Sequence, residues 1–176
     1  MDVVLHAAKP SEASLIANLF QFYHYDFAEI LGGNVGSAGR FAAPALDAYW
    51  RDPWRHPFVV RVEQHPAGFA LIHRCSRITG DPGTWDVAEF FVMRPYRRKG
   101  VGSHAALRIF DQFRGHWEVR QARANVAATT FWRAVIARHT GGRYSETIYD
   151  DERWRGPVQT FDNTVRGDEA KVSAAR

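Results

Sequence analysis

The chain is poor in cysteine and has no long apolar run. Its only cysteine, Cys75, excludes an internal disulfide framework and a zinc site built from cysteines, and it fits a reducing compartment. No apolar run approaches the roughly 20 residues that span a bilayer, and the first residues lack the basic and apolar regions of a signal peptide. We therefore expect a cytoplasmic protein without a membrane partner.

The chain also lacks clustered metal ligands and a large excess of charge of one sign. The eight histidines form no His-x-x-x-His pair or similar cluster, so we expect no metal site. The 23 basic and 19 acidic residues are largely intermixed, and the net charge of +4 suits an anionic ligand without implying nucleic acid. The basic stretch from Arg94 to Lys99, with Tyr96 for stacking, is an alternative nucleic-acid patch, but its cations cluster at one helix start. We expect no nucleic-acid partner.

The chain contains enough hydrophobic residues for one core. It has 176 residues, of which 45% are hydrophobic, enough for one substantial core and short for two. There are no internal repeats and no clear linker. The sequence therefore predicts one domain over residues 1–165 and a flexible polar tail over residues 166–176.

Apolar spacing along the chain predicts a mixed α/β order. Period-two and helical patterns alternate, with turn signals at glycine and proline between them. The middle strands are typical of an antiparallel meander. The predicted elements are a strand at 3–8, helices at 11–31 and 44–50, strands at 58–63, 68–77 and 85–92, a helix that stops at Gly115, a strand at 117–124, a helix from 128 to the glycines at 141–142, and strands at 143–149 and 158–161.

The most informative segment runs from Val87 to Ser103, where an apolar strand is followed by a proline, a basic turn and a helix. Gly100 and Gly102 let the backbone approach a ligand closely, and the first amides of the helix have no partners within it. Three basic residues at 97–99 add positive charge to the positive end of the helix dipole, which suits a polyphosphate. The segment predicts an anion cradle.

Two common nucleotide loops do not fit this cradle. It is not a Walker loop, because Lys99 precedes Gly100 and no Gly-Lys-Ser/Thr follows. It is not a dinucleotide fingerprint, because the Gly-x-Gly-x-x-Gly spacing fails at Ala105. A cradle for another pyrophosphate remains.

Two motifs resemble the GNAT superfamily of acyl-CoA-dependent N-acetyltransferases. The run from Arg97 to Gly102 fits the Gln/Arg-x-x-Gly-x-Gly/Ala signature of that superfamily. The run from Asn125 to Trp132 looks like the Asn-x-x-Ala-x-x-Phe-Tyr segment that opens the helix after its fifth strand. The resemblance covers roughly residues 3–150 and implies an α/β (mixed α+β) fold with a central, twisted, mostly antiparallel sheet of about six to seven strands, flanked by helices and splayed at its central strands.

The resemblance also implies a cofactor, acetyl-CoA, and the residues that hold it. The main chain of 90–92 would bind the pantetheine arm like an added strand. The amides of 98–103 would hold the pyrophosphate, and the segment 125–128 would line the other side; Asn125 also fits a plain helix N-cap. The predicted cofactor residues are Phe90, Phe91, Val92, Arg97, Arg98, Lys99, Gly100, Val101, Gly102, Ser103, Asn125, Ala128, Phe131 and Trp132.

The candidate catalytic residues are carboxylates and tyrosines. Transfer to an amine needs a base and a proton for the leaving thiolate. Glu89, beside the bulky Phe90, is the predicted base, with Asp86 as a second candidate and a structural ion pair as the alternative role for Glu89. Trp132 stands where many relatives carry the tyrosine that protonates the thiolate, so Tyr149 is predicted to substitute, with Tyr144, water or unassisted departure as alternatives.

The acceptor is predicted to be a small-molecule primary amine that attacks directly in a ternary complex. Tyr23, Asp26, Trp50 and Glu89 are the predicted acceptor residues, since aromatic rings and carboxylates suit a cationic amine. The alternative function is a CoA-binding sensor or interaction module without turnover, which stays open because Trp132 replaces the usual tyrosine. The sequence leaves open a homodimer.

Overall fold

The computed structural model of the chain describes residues 1–42 and 44–164. The tail predicted over 166–176 lies outside the described residues. Short 3₁₀ turns at Pro10–Glu12 and Arg94–Tyr96 join the longer elements. These are β1 (Val3–Ala7), α1 (Ala13–Leu31), α2 (Ala48–Arg51), β2 (Arg55–Val62), β3 (His65–Arg74), β4 (Trp85–Val92), α3 (Val101–Gln112), β5 (His116–Arg120), α4 (Val126–Thr140), β6 (Ser145–Asp150) and β7 (Arg155–Asp162).

The seven strands form a sheet in the order β1-β2-β3-β4-β5-β7-β6. The ladders of β1 with β2, β2 with β3, β5 with β7 and β6 with β7 are antiparallel, and β4 with β5 is parallel. This confirms the predicted α/β fold with a mostly antiparallel sheet and flanking helices. The parallel ladder pairs Trp85 with Trp117 and Asp86 with Glu118, two of the eight residues of β4, which fits splayed central strands.

Most predicted elements are present, but several have other bounds: the strands predicted at 58–63, 68–77 and 158–161 lie at Arg55–Val62, His65–Arg74 and Arg155–Asp162. Two further elements are shorter than predicted. The helix expected at 44–50 is one turn, Ala48–Arg51, since Pro44 begins an irregular stretch. The strand expected at 117–124 ends at Arg120. Beyond it the amides of Gln121 and Arg123 still donate to β7 carbonyls, both at 3.0 Å, before α4 begins. None of the helices in residues 1–42 and 44–164 has the length and apolar content that crossing a bilayer requires.

The chain divides into two compact units, and the single domain expected over 1–165 stays a prediction. The first unit comprises Met1–His73 and Ala88–Ala105. Its main core lies between α1 and the sheet, where the rings of Phe20 and Phe69 stack with centroids 4.5 Å apart. A second core packs the start of α3, Val101 and Ala105, on β-strand residues.

The second unit comprises Arg74–Val87 and Ala106–Arg176. Its core is aromatic: the ring of Phe110 contacts those of Trp117 and Phe161, with centroids 4.8 and 5.0 Å apart. The buried face of α4 includes Trp132 and Ile136. This unit also buries carboxylate and amide side chains in the sheet itself, among them Asp86, Glu118 and Gln159.

A carboxylate in the first unit makes stability depend on pH. Burial opposes the ionised form of Glu12, but hydrogen bonds from the Lys9 amide, Arg61 and His6 outweigh it and lower the pKa from 4.5 to about 2. A lowered folded-state pKa stabilises the fold above the unfolded-state value, and this contribution is lost as pH falls from about 4.5 to about 2. We expect Glu12→Gln to lower the free energy of unfolding by about 1–3 kcal/mol at pH 7.

Urea unfolding at several pH values measures this effect. The difference between Glu12→Gln and the unmodified chain should shrink as pH falls through the window from 4.5 to about 2. Glu63→Gln is the matched control, because the Glu63 side chain is 61% exposed. A difference for Glu12→Gln that is constant with pH would contradict the assignment.

Candidate active site

The predicted anion cradle is formed within the first unit. After β4 and the 3₁₀ turn, Arg98 and Gly100 have φ angles of +60° and +81°, left-handed values that turn the chain into α3. The amide of His104 donates to the Gly100 carbonyl at 2.9 Å, and the three amides before it have no acceptor within the helix. A Cβ on Gly100 would have no heavy atom of the described residues within 4 Å. The turn therefore has room for an anion beside amides that have no acceptor within the helix.

The three basic residues of the turn have different surroundings. Arg98 and Lys99 are exposed, and neither forms an ion pair with residues 1–42 or 44–164. Arg97 is already engaged: its Nε donates to the Val92 carbonyl at 2.6 Å, and its guanidinium lies 5.5 Å from the Phe91 ring centroid. Two of the three cations are therefore available to meet a phosphate, whereas Arg97 supports the end of β4.

Asp26 on α1 is the ion-pair partner of the cradle. It accepts hydrogen bonds from Arg94, at 2.9 Å, and from Arg97. Glu29 lies 3.3 Å from the Arg94 guanidinium, and the hydrogen bond to Asp26 is the main reason that the pKa of Arg94 is raised. Asp26 was predicted to bind a cationic amine; its carboxylate is already shared by two guanidinium groups, and the acceptor role stays a prediction.

Two predicted acceptor residues, Tyr23 and Glu89, are in direct contact. The Tyr23 hydroxyl donates a hydrogen bond to Glu89 Oε2. The Tyr23 ring is fixed by aromatic neighbours, with centroids 4.5 Å from Phe27 and 5.8 Å from Phe91. Glu89 is half-buried on β4. The pair places an oriented carboxylate at the side of β4, although no residue was expected to hold Glu89 in this way.

Trp50, the remaining predicted acceptor residue, packs against the same core as Tyr23. Its indole Nε1 donates to the Ala8 carbonyl at 2.9 Å. The N–H group therefore has its hydrogen-bond acceptor within the fold, and the ring face is the part of Trp50 that could contact a ligand. Its acceptor role stays a prediction.

The remaining predicted cofactor residues lie in the second unit, at the start of α4. Asn125 is the N-cap of this helix, where its Oδ1 accepts from the Ala128 amide at 3.1 Å. Trp132 is buried and contacts the rings of Phe110 and Phe131, with centroids 6.1 and 5.0 Å away. The expected contact of these residues with a cofactor stays a prediction.

The other candidate proton donors and acceptors also lie in the second unit. Tyr149 is half-buried on β6, with the Arg153 guanidinium 4.8 Å from its ring centroid, and its catalytic role stays a prediction. Asp86, the second candidate base, has no exposed surface. Arg120 binds both oxygens of Asp86, at 3.1 and 2.8 Å. Asp86 therefore serves as an ion-pair partner within the fold.

Sequence reasoning missed two features of the second unit. One is a cavity of about 590 Å³ beside the β3–β4 connection and the ends of β5, β6 and β7; Tyr144, the alternative proton donor, is the one candidate residue in its lining. The other is a hydrogen-bonded row of polar side chains, Gln121, Gln159 and Glu146. The sequence pattern that would predict such a row is polar residues at strand positions that face the core. Within the described part of the chain, no group of three or more His, Cys, Asp or Glu side chains is placed to hold a metal ion.

Comparison with known proteins gives a consistent result. The sequence profile of the Acetyltransferase (GNAT) family matches residues 18–135. No curated protein sequence matches the chain significantly.

Solved structures resemble the chain over nearly its whole length. An acetyltransferase from Thermus thermophilus has a TM-score of 0.65 at 16% identity, covering 93% of this chain and 98% of that one. An aminoglycoside acetyltransferase in complex with coenzyme A has a TM-score of 0.61 at 12% identity, covering 92% and 95%. The ribosomal-protein-S18-alanine N-acetyltransferase from Escherichia coli has a TM-score of 0.59 at 12% identity, covering 95% and 97%. At these identities the likeness shows the fold.

Proposed function

The chain belongs to the Acetyltransferase (GNAT) family, and we propose that it transfers an acetyl group from acetyl-CoA to the primary amine of a small molecule. The observation that carries the proposal is the turn between β4 and α3. It combines left-handed residues, unpartnered helix amides and two exposed cations that have no ion-pair partner among the described residues. A pyrophosphate would accept hydrogen bonds from the amides and pair with the two cations, and the left-handed turn leaves room for it.

The residues of the cradle fit the pyrophosphate of acetyl-CoA. The amides of 101–103 would donate to its oxygens, with the α3 dipole behind them. Arg98 and Lys99 would supply charge from the turn. Gly100 leaves the approach open, because no side chain projects there. No carboxylate occurs between Arg97 and Ser103 to repel the group.

The end of β4 fits the pantetheine arm. The residues from Phe90 to Val92 lie beyond the short ladder that β4 forms with β5, which ends at Asp86. An extended arm rich in amides can bind such a strand through main-chain hydrogen bonds. The bond from Arg97 to the Val92 carbonyl holds the strand end in place.

The chemistry asks little of the protein's own side chains. Acetyl-CoA supplies the acetyl group as a thioester: the amine nitrogen forms the new N–C bond, the S–C bond breaks, and the thiolate takes up a proton. The amine must reach the reaction neutral, and Glu89 would accept its proton directly or through water. Tyr23 orients the Glu89 carboxylate through its hydrogen bond. The amide of Val92 would donate to the thioester oxygen.

The proposed acceptor class rests on the surroundings of Glu89. Two of the three structural neighbours are, by name, an aminoglycoside acetyltransferase and a ribosomal-protein-alanine acetyltransferase, so the fold serves acceptors of different size. Tyr23, which hydrogen-bonds Glu89, has its ring 4.5 Å from that of Phe27, an aromatic setting that suits a compact cationic amine. A small molecule is therefore preferred over a peptide.

Calorimetry with acetyl-CoA and with free CoA tests the proposal, followed by turnover against small amines and peptides, read as released thiol. We expect binding of both acetyl-CoA and CoA, and turnover with small amines. Binding without any turnover would instead support a CoA sensor. If the chain binds neither acetyl-CoA nor CoA, the proposed function is overturned.

The role of Glu89 has its own test. Glu89→Gln removes the proton acceptor but keeps the side-chain shape, so kcat should fall by about 10²–10⁴-fold, a range typical of general-base catalysis. The acidic limb of the pH–rate profile should disappear. Tyr23→Phe, which removes only the hydrogen bond to Glu89, should keep the limb and lose less activity. An unaltered profile in Glu89→Gln would remove the residue from this role.

We also propose a compartment and an oligomeric state for the protein. The cytoplasm suits the chain, because its lone cysteine, Cys75, has no second cysteine to pair with, and a reducing compartment preserves such a thiol. A homodimer is proposed as the assembly. Gel filtration with light scattering measures it directly.

A further inference from the structure

Two residues of α1, one helical turn apart, contact β4 or the turn after it within the first unit. Residues at positions i and i+3 of a helix share a face, and here they are Tyr23 and Asp26. Tyr23 donates a hydrogen bond to Glu89, and its ring lies edge-on to that of Phe91 with centroids 5.8 Å apart. Asp26 reaches the end of the same strand through the guanidinium group of Arg97. This face of α1 therefore follows β4 to its end.

The Arg97 guanidinium links Asp26 to the main chain of β4. Its Nη2 donates to Asp26 Oδ2, and its Nε donates to the Val92 carbonyl at 2.6 Å. On the other side of the same peptide bond, the Met93 amide donates to the Ala67 carbonyl at 2.8 Å. A peptide group is planar, so hydrogen bonds at both its oxygen and its nitrogen fix its orientation. The peptide that ends β4 is therefore held from two sides, one of them by Arg97.

The Asp26 carboxylate is mostly covered by this network. Its side chain is 15% exposed, against 40% for Arg97 and 61% for Arg94. Its second oxygen, Oδ1, accepts from Arg94 Nε at 2.9 Å, so both carboxylate oxygens have a charged donor. Hydrogen bonds between charged groups are stronger than neutral ones, and water competes less for a carboxylate that is mostly buried. Asp26 therefore limits the positions that the Arg97 guanidinium can take.

We propose that Asp26 is a positioning residue for acetyl transfer: by holding Arg97 it fixes the end of β4, where the Val92 amide would donate to the thioester oxygen. This inference rests on the proposed function. A hydrogen-bond donor stabilises developing charge best when it already points at it, so movement of the strand end would weaken this contact. In this role Asp26 touches neither reactant and acts through Arg97. The role differs from the direct contact with the acceptor amine that the sequence predicts.

Asp26→Asn tests the proposal, because asparagine keeps the shape but loses the charge and turns an NH₂ group toward one of the two guanidinium groups. A misplaced donor should lower kcat by about 10- to 100-fold at saturating acetyl-CoA. The KM for the amine should stay unchanged. If Asp26 bound the amine directly, this KM would rise with kcat nearly unchanged, and the proposal would be overturned.

A double-mutant cycle shows whether Asp26 acts through Arg97. Arg97→Met removes the guanidinium that carries both hydrogen bonds, so adding Asp26→Asn to it should lower kcat no further. Additive losses would contradict the proposal. Glu29→Gln is the matched control, because Glu29 is 76% exposed and pairs with Arg94. Its kcat should match that of the unmodified chain, and a fall equal to that of Asp26→Asn would overturn the assignment to Arg97.

Hydrogen exchange of the Met93 amide, followed by NMR in the free protein, gives a readout that does not depend on activity. If Asp26 and Arg97 hold this peptide, the amide should exchange about 10-fold faster in Asp26→Asn, as expected for the loss of a charge-assisted hydrogen bond. Exchange in Glu29→Gln should match the unmodified chain. Equal exchange in all three proteins would overturn the inference even if kcat falls.

The outcomes separate this inference from the proposed function. If the unmodified chain turns over no amine, both are overturned. If it turns over an amine and Asp26→Asn keeps its kcat, this inference alone is overturned. The spectra also show whether Asp26→Asn is folded; if it is not, Asp26→Glu carries the test. Glutamate keeps the charge but displaces Arg97, so kcat should fall by a smaller factor and Met93 should exchange faster; unaltered values of both would overturn the inference.

Discussion

Replacing Gly102 by aspartate is expected to abolish acetyl-CoA binding while the chain stays folded, with Kd raised by at least about 100-fold. Gly102 is the second residue of α3. A carboxylate there lies at the positive end of the helix dipole and stabilises the helix by about 0.3–1 kcal/mol. The same charge stands among the amides that would hold the pyrophosphate and repels it. Calorimetry measures the loss, and far-ultraviolet circular dichroism measures folding.

Two control variants separate charge from shape at the cradle. Gly102→Asn adds nearly the same volume without charge, so its loss of affinity should be much smaller than that of Gly102→Asp. Gly100→Ala adds a methyl group in open space, and its cost is mainly the strain of a φ of +81°, about 1 kcal/mol of stability. Wild-type affinity in Gly102→Asp would place the phosphate elsewhere.

Local features of the sequence account for the part of the fold that could be predicted. Trp85–Val92 matches the predicted strand, because a run of apolar residues bounded by a turn and a proline is a short-range signal. The helices α1 and α4 end where glycines follow them, at Gly32 and Gly141. By contrast, the strand predicted at 117–124 is shorter in the structure, since strand length depends on the partner strand.

Long-range contacts account for what could not be predicted at the candidate site. The cofactor role of Arg97 stays a prediction, but its ion pair with Asp26, 71 residues away along the chain, was not predicted. That pairing depends on how α1 packs, which no local pattern encodes. Tyr23 and Glu89 were each predicted as acceptor residues, yet the hydrogen bond that joins them spans 66 residues and emerged only from the folded structure.

A row of buried polar side chains also could not be predicted from the sequence, because its contacts are long-range. Gln159 stands opposite both Val119 on β5 and Glu146 on β6. The register of three strands therefore decides whether its amide meets a partner. A glutamine in a strand is most often exposed, so the sequence alone does not suggest a buried one. The structure provides the partners that make burial acceptable.

Arg120→Met is expected to lower the free energy of unfolding by about 3–5 kcal/mol, the cost of leaving buried carboxylates without their cation. Arg120 is 9% exposed and binds both oxygens of Asp86, which is 0% exposed. Its Nε also lies 3.3 Å from Glu118, so one guanidinium serves two carboxylates that face each other across the β4–β5 ladder. Methionine fills the space but removes the positive charge that both acids share. Urea unfolding followed by circular dichroism measures the loss.

Arg133→Met is the matched control for this prediction. Arg133 also binds both oxygens of one carboxylate, Glu146, but its side chain is 49% exposed. Water can solvate Glu146 after the substitution, so the loss of stability should be several-fold smaller than for Arg120→Met. Equal losses would mean that burial does not set the strength of these pairs. A large loss at Arg120 alone would identify the Asp86–Arg120–Glu118 cluster as buried ion pairing that the fold requires.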